Sequence, residues 1–415
     1  MKAICRDKKP ASVDSYNIAK RQRSVSIMTE LDELFDEGVR GAEVREGTEF
    51  DRLAALCGEV LVLFGAGGLG RLIERKLRGV GPRPVAFADN NAKLWGQSIE
   101  GIPVLSPGDA AARFGDSAAF VVAVWGVGSK DRMAARVGQL KELGCRVVVP
   151  FPALFWKYPD LFLPYHAIDQ PRKVLQEAAA VQAAHGLWSD EFSRREYVAQ
   201  IRWRLRGDFD SMADPVEEPI YFPDICKIRG DETFVDCGAF DGDTVQAFLG
   251  ATKSSFSRIF AFEPDPSNFA RLQRFVDGID PTLTRRVVTR QNAVGAASGT
   301  VRFAADGTDG SAIRESGDLD VECVALDEVF ENEAPSYIKM DVEGAELDAL
   351  SGSRQLIGGR APVLAICSYH RQSDLWRIPL LIQSYNSDYR FYLRPHLLEG
   401  WDVVCYAVPR ERMAA

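Results

Sequence analysis

Three carboxylates crowd one short turn of this chain: Asp236, Asp241 and Asp243 lie in the run Asp236-Cys237-Gly238-Ala239-Phe240-Asp241-Gly242-Asp243-Thr244. Gly238 and Gly242 let backbone approach a ligand closely. The acids suit an amino-acid ammonium or ribose hydroxyls and repel a pyrophosphate. Glu263 closes the next apolar run, 27 residues after Asp236, where it is placed to accept from both hydroxyls of a ribose. Asn292 is able to bond an adenine edge, and equally able to be a plain turn residue. Asp341, Glu343 and Glu346 follow a further apolar run, and His370 follows another.

A second glycine turn, with no acid inside it, lies nearer the N-terminus. Gly65, Gly67 and Gly70 form GxGxxG after Val60–Phe64, and Asp89 ends the next strand 24 positions after Gly65. In a dinucleotide-binding unit this is the place of the ribose carboxylate, with phosphate at the helix N-terminus. The turn therefore reads as the seat of a nucleotide, or as part of a fold kept only for docking or oligomerisation.

Both turns require strand-turn-helix units, so the fold expected is α/β with two Rossmann-like doubly wound domains. Residues 1–28 read as a flexible arm, with Met28 an alternative start, and 29–165 as the first domain. Residues 166–218 read as a helical linker and 219–415 as the second domain. Strands are expected at 84–88, 119–125, 146–149, 259–262 and near 286–288. Prolines 152, 159, 164 and 171 predict a packed, non-helical connection. His166 and His185 have no partner at ligand spacing and read as incidental.

The bulk composition narrows the partners. With 59 acidic against 50 basic residues the net charge is -9, which draws the chain to neither nucleic acid nor anionic lipid. Eight cysteines without any CxxC pair read as reduced core residues of a cytoplasmic protein. No apolar run reaches the ~18 residues of a spanning helix.

The motifs VDCGAFDGDT, FAFEPDPSNF, NAVG, LDE, IKMDVEGAELDAL and YHRQSDLW, in this order over about residues 219–408, resemble the FkbM family of S-adenosyl-L-methionine-dependent methyltransferases. The resemblance implies a seven-stranded class I methyltransferase sheet, S-adenosylmethionine as cofactor, and methyl transfer to a hydroxyl of a sugar, glycan or natural product. By position it implies cofactor contacts from Tyr221, Asp236, Gly238, Ala239, Gly242, Asp243, Thr244, Glu263, Asn292, Ala293 and Asp341. Asp341 and Glu343 would face the reacting methyl. Residues 58–165, with Asp89-Asn90-Asn91 and Gly101-Ile102-Pro103-Val104-Leu105, resemble the nucleotide-sugar-binding domain of bacterial sugar O-acyltransferases.

A sugar hydroxyl is a poor nucleophile while protonated, so the transfer needs a base or a cation. His370 reads as that base, or as a structural histidine holding the loop before Asp374. Asp341, Glu343 and Glu346 read as hard oxygen ligands for Mg²⁺, or Glu346 as stabilising the helix N-terminus. The readings from other classes are a catalytically silent scaffold in a polysaccharide pathway and an NAD-dependent dehydrogenase. Self-association is left open.

Overall fold

The computed structural model describes residues 30–57, 60–305, 307, 310–313 and 317–414; the arm expected over 1–28 lies outside them. Strands apolar at every position are expected where both faces of a parallel sheet are covered, and β1 (Leu61–Phe64) is buried throughout. With β2 (Pro84–Ala88), β3 (Ser98–Ile99), β4 (Ile102–Leu105), β5 (Ala119–Val122) and β6 (Val147–Pro150) it makes a six-stranded sheet, ordered β3-β4-β2-β1-β5-β6. β3 pairs antiparallel with β4, and the other pairs are parallel.

The second large sheet begins with β7 (Thr233–Cys237), β8 (Arg258–Phe262) and β9 (Val287–Arg290). The chain then builds a small sheet from β10 (Ala293–Val294), β11 (Gly299–Ala304), β12 (Ala312–Ile313) and β13 (Leu319–Val324). It returns with β14 (Tyr337–Met340), β15 (Val363–Cys367), β16 (Arg390–Pro395) and β17 (Val403–Val408). The order β16-β17-β15-β14-β7-β8-β9 reverses direction between β7 and β14, and β17 is antiparallel to both neighbours. In the first sheet the reversal falls between β1 and β5. Both glycine turns thus leave a strand at a topological switch point, where open α/β sheets bind ligands.

One expectation is corrected. The proline-rich connection holds helices Phe151–Lys157 and Pro159–Phe162, because Pro152 and Pro159 fall in the first turn, where a missing N–H costs nothing. Further on, the segment expected to be helical holds Pro171–Gln176, Ala178–His185 and Glu191–Arg206, which form a packed layer between the halves. Arg172 pairs with Glu46 at 2.8 Å on one side. On the other side Asp190 pairs with Arg394 at 2.6 Å and Ser189 N–H donates to Phe391 O at 2.8 Å.

The two halves share one continuous core. At their junction Trp125 packs on Trp401 with ring centroids 4.5 Å apart and on Trp203 at 5.8 Å. Trp125 Nε1–H also donates to Glu399 O at 3.1 Å. Every described cysteine is buried and unpaired. Among the described residues no helix is long and apolar enough to cross a membrane.

Candidate active site

The turn after β7 is shaped by close approach. Gly238 adopts φ +82°, and a Cβ there would stand 1.9 Å from Asp341 O, so only glycine lets the ends of β7 and β14 pass this near. Gly242, at φ +97°, lies against Phe275, which a Cβ would meet at 2.4 Å. The N–H groups of Gly238 and Ala239 both donate to Phe262 O at 3.0 Å, tying the turn to the end of β8.

Beneath the turn a buried lysine meets the buried Asp236. Lys339 Nζ lies 3.1 Å from Asp236 Oδ1 and donates to Gly238 O at 2.7 Å. Burial pushes the Asp236 carboxyl up to about 6, against the pull of Lys339. Burial opposes the ammonium too, but Asp236 and Asp341 outweigh it and hold the lysine above its ordinary value. A lysine inside the apolar run Tyr337–Met340 was the sequence signal for this pair.

Above the turn opens a cavity of about 420 Å³. Tyr221, Gly238, Asp243 and Thr244 line one part of it, and Glu263, Asn292 and Ala293 another. Asp341 and Glu343 line it as well. Asp236, Ala239, Gly242 and His370 are not among the residues that line it, and Asp236, Ala239 and His370 are buried. Glu263 accepts from Phe240 N–H and Asp265 N–H, both at 2.9 Å, one on each carboxylate oxygen. Those bonds aim the carboxylate, and burial raises its pKa to about 7. Asn292 Nδ2 lies 3.4 Å from Glu322 Oε2, so the side chain is tethered to β13.

At the other end the carboxylates gather round one imidazole. Tyr221, itself at φ +68°, donates its hydroxyl to Asp341 Oδ2 at 2.8 Å. His370 Nδ1 lies 2.8 Å from Glu346 Oε1, and Nε2 faces Asp341 Oδ1 at 3.3 Å and Glu343 Oε1 at 3.5 Å. Burial works against a charged ring, but Glu346 and Glu343 outweigh it and lift the histidine well above its usual range. Glu346 does not join Asp341 and Glu343 as a third oxygen. It accepts from Val342 N–H at 2.9 Å and grips the back of the imidazole.

Several cavity residues were missed by sequence reasoning. Tyr369, Trp401 and half-buried Asp402 line it from the strand ends on the β15 and β17 side. Asp402 is pushed up to about 6 by burial and by the nearby Asp341 charge. Val127 and His166 line it from the N-terminal half. His166, expected to be incidental, packs edge-on to Trp401 with centroids 4.9 Å apart. No local pattern marks these residues, because the fold alone brings them together.

The N-terminal residues make a separate turn. Gly65 has φ +117°, and Gly70 packs so close that a Cβ would stand 1.9 Å from Gly65 O. Gly67 precedes the helix Gly68–Leu77. Asp89 accepts from Ala66 N–H and Asn91 N–H, each at 2.7 Å, so its carboxylate braces the turn itself.

The doubly wound sheet carries an acid-bearing turn, a carboxylate after the next strand and an acidic wall opposite, the arrangement of an open α/β fold with its candidate ligand site at a switch point. More particularly, residues 236–394 match the family model described as the methyltransferase FkbM domain. A curated relative, the hexuronic acid methyltransferase AglP of Haloferax volcanii, is 30% identical over 161 residues, 36% of this chain and 59% of that protein. The chain thus spans about three fifths of the relative it matches. A methyltransferase FkbM of known structure from Methylobacillus flagellatus has the same fold along nearly the whole chain. Its TM-score is 0.74 at 24% identity, with 92% of this chain and 98% of that one covered.

Proposed function

We propose that the chain is an S-adenosylmethionine-dependent O-methyltransferase acting on a hydroxyl of a sugar, glycan or glycosylated natural product. The observation that carries this reading is the single cavity at the β7/β14 switch point, within the FkbM domain, that joins the acid-bearing turn to Glu263 and to Asp341. In it Gly238 and Thr244 would hold the methionine end of the cofactor, Glu263 would accept from its ribose hydroxyls, and Asn292 and Ala293 would meet its adenine. The named activity of the Haloferax relative favours an acceptor of the hexuronic acid kind. The acceptor enters between the halves, past His166 and Trp401. Gly65, Gly67, Gly70 and Asp89 belong to a domain that receives a nucleotide-sugar or related moiety.

Asp402 is the base. A carboxylate poised near 6 exchanges protons readily around neutral pH. It takes the acceptor proton, and the oxygen forms a bond to the methyl carbon as the methyl–sulfur bond breaks. S-adenosylhomocysteine leaves with the electron pair. Positioning supplies much of the rate, since the reacting atoms must be held about 3 Å apart and in line.

The test is incubation of the full chain with methyl-deuterated S-adenosylmethionine and a set of hexuronic acid glycosides and nucleotide sugars. Deuterated methyl on an acceptor oxygen is expected. Cofactor binding without transfer to any of them would favour a silent binding protein.

A further inference from the structure

Asp341, Glu343 and His370 each turn one donor atom to a common point, and these atoms all lie within 4.8 Å of one another. The nitrogen-to-oxygen separations are 3.3 and 3.5 Å. Adjacent ligands of an octahedral cation held at about 2.1 Å stand roughly 3 Å apart. The two nitrogen-to-oxygen pairs therefore need to close by only a few tenths of an ångström around an ion, while the two carboxylate oxygens lie within 4.8 Å of each other and can swing inward from the cavity wall.

Two further observations point to a ligand. The His370 side chain is only 4% exposed, and its Nε2 makes no hydrogen bond although it is aimed into the cluster. Asp341 Oδ1 is likewise buried without a hydrogen bond. Behind the ring, Glu346 is fully buried and lies 2.8 Å from Nδ1. A carboxylate on one imidazole nitrogen places the proton there and turns the lone pair of the other outward, the arrangement found behind histidines that bind metals. Here that lone pair faces two carboxylate oxygens, a contact that a cation turns from repulsive to attractive.

We propose that Asp341, Glu343 and His370 form a facial three-ligand site for a divalent cation of the Mn²⁺ or Mg²⁺ class, with Glu346 as the positioning residue. Two oxygens favour these hard ions, and the imidazole favours Mn²⁺ of the two. The cation's function rests on the methyl-transfer reading. Asp341 and Glu343 line the cavity, so the free coordination positions face the acceptor. They select an acceptor with two neighbouring oxygens, a vicinal diol or a hydroxy acid, and coordination makes its hydroxyl a stronger acid. The proton still passes to Asp402.

Titration of the chelator-treated full chain with Mn²⁺, followed by the electron paramagnetic resonance of the free ion, tests the site. One bound Mn²⁺ per chain is expected, weakened at least tenfold in Glu343→Gln and about 10- to 100-fold in Glu346→Gln. Glu343 is partly exposed, so its variant keeps the wild-type unfolding midpoint and reports on the site alone. No binding by the wild type, or equal binding by Glu343→Gln, overturns the proposal. Calorimetry with S-adenosylmethionine on the same metal-free protein separates the two readings. Heat there with no Mn²⁺ site leaves the methyl-transfer reading standing and sinks the cation. Mn²⁺ binding without cofactor heat does the reverse.

Discussion

Glu399, at the tip of the β16–β17 hairpin, accepts from the backbone N–H of Met133 at the start of the helix Met133–Glu142, which belongs to the other half of the molecule. Arg136 on that helix lies 3.6 Å from the second carboxylate oxygen. An acceptor here satisfies an orphan helix donor and places negative charge at the positive end of the helix. Trp401 and Asp402, next along the chain, line the cavity, so the contact that joins the halves also positions one cavity wall. Glu399→Ala is expected to destabilise the protein by about 3 kcal/mol, because it leaves Arg136 buried without its partner. Urea unfolding checks this, and a loss below about 1 kcal/mol contradicts a structural role for the contact.

The Asp236–Lys339 pair makes a second expectation. Removing one member of a buried ion pair strands the other, at a cost of about 3–5 kcal/mol. Lys339→Met should therefore unfold at much lower urea, while Asp236→Asn with Lys339→Met should recover part of the loss. If the double variant is as unstable as the sum of the single ones, the pair is not the device that holds the turn.

The assignment of Asp402 fixes a pH profile. A base must be ionised, so kcat/KM should rise with pH through about 6, where its carboxyl titrates. Asp402→Asn should lower kcat roughly 100-fold or more and remove that acid limb. Retention of the limb in the variant would move the role to another group.

His166 separates acceptor from cofactor. It lies on the side of the cavity contributed by the N-terminal half, against Trp401. His166→Ala is expected to raise the acceptor KM roughly tenfold, the effect of losing one moderate contact of about 1.4 kcal/mol. The Kd for S-adenosylmethionine, measured by calorimetry, should stay within about twofold. Equal weakening of both ligands would place His166 in the cofactor site.

Much of the fold was legible because strands covered on both faces are continuous apolar runs. Leu61–Phe64, Ile259–Phe262 and Tyr337–Met340 announce themselves, and each is followed by a glycine or an acid where a switch-point site begins. The small sheet was not legible. Gly299–Ala304 is mostly exposed, and Leu319–Val324 alternates and carries charges, so neither presents a continuous apolar run. The prolines at 152 and 159 misled for the opposite reason, since a residue that ends helices also begins them. Within the site, Glu263 and Asp341 were readable from their place after strands. The roles of Asp402, Trp401 and His166 depend on a hairpin and a neighbouring half folding over the strand ends, and Glu346 is turned away from its neighbours by a bond to His370. Those are tertiary facts with no local spacing.

The most direct test of the central claim is calorimetric titration of S-adenosylmethionine into the full chain and into Glu263→Ala. The ribose hydroxyls bonded to a charged acceptor contribute about 1.5–3 kcal/mol each. One-site binding by the wild-type chain, weakened at least tenfold in the variant, is expected. No binding by the wild type, or the same affinity in both proteins, would contradict the account.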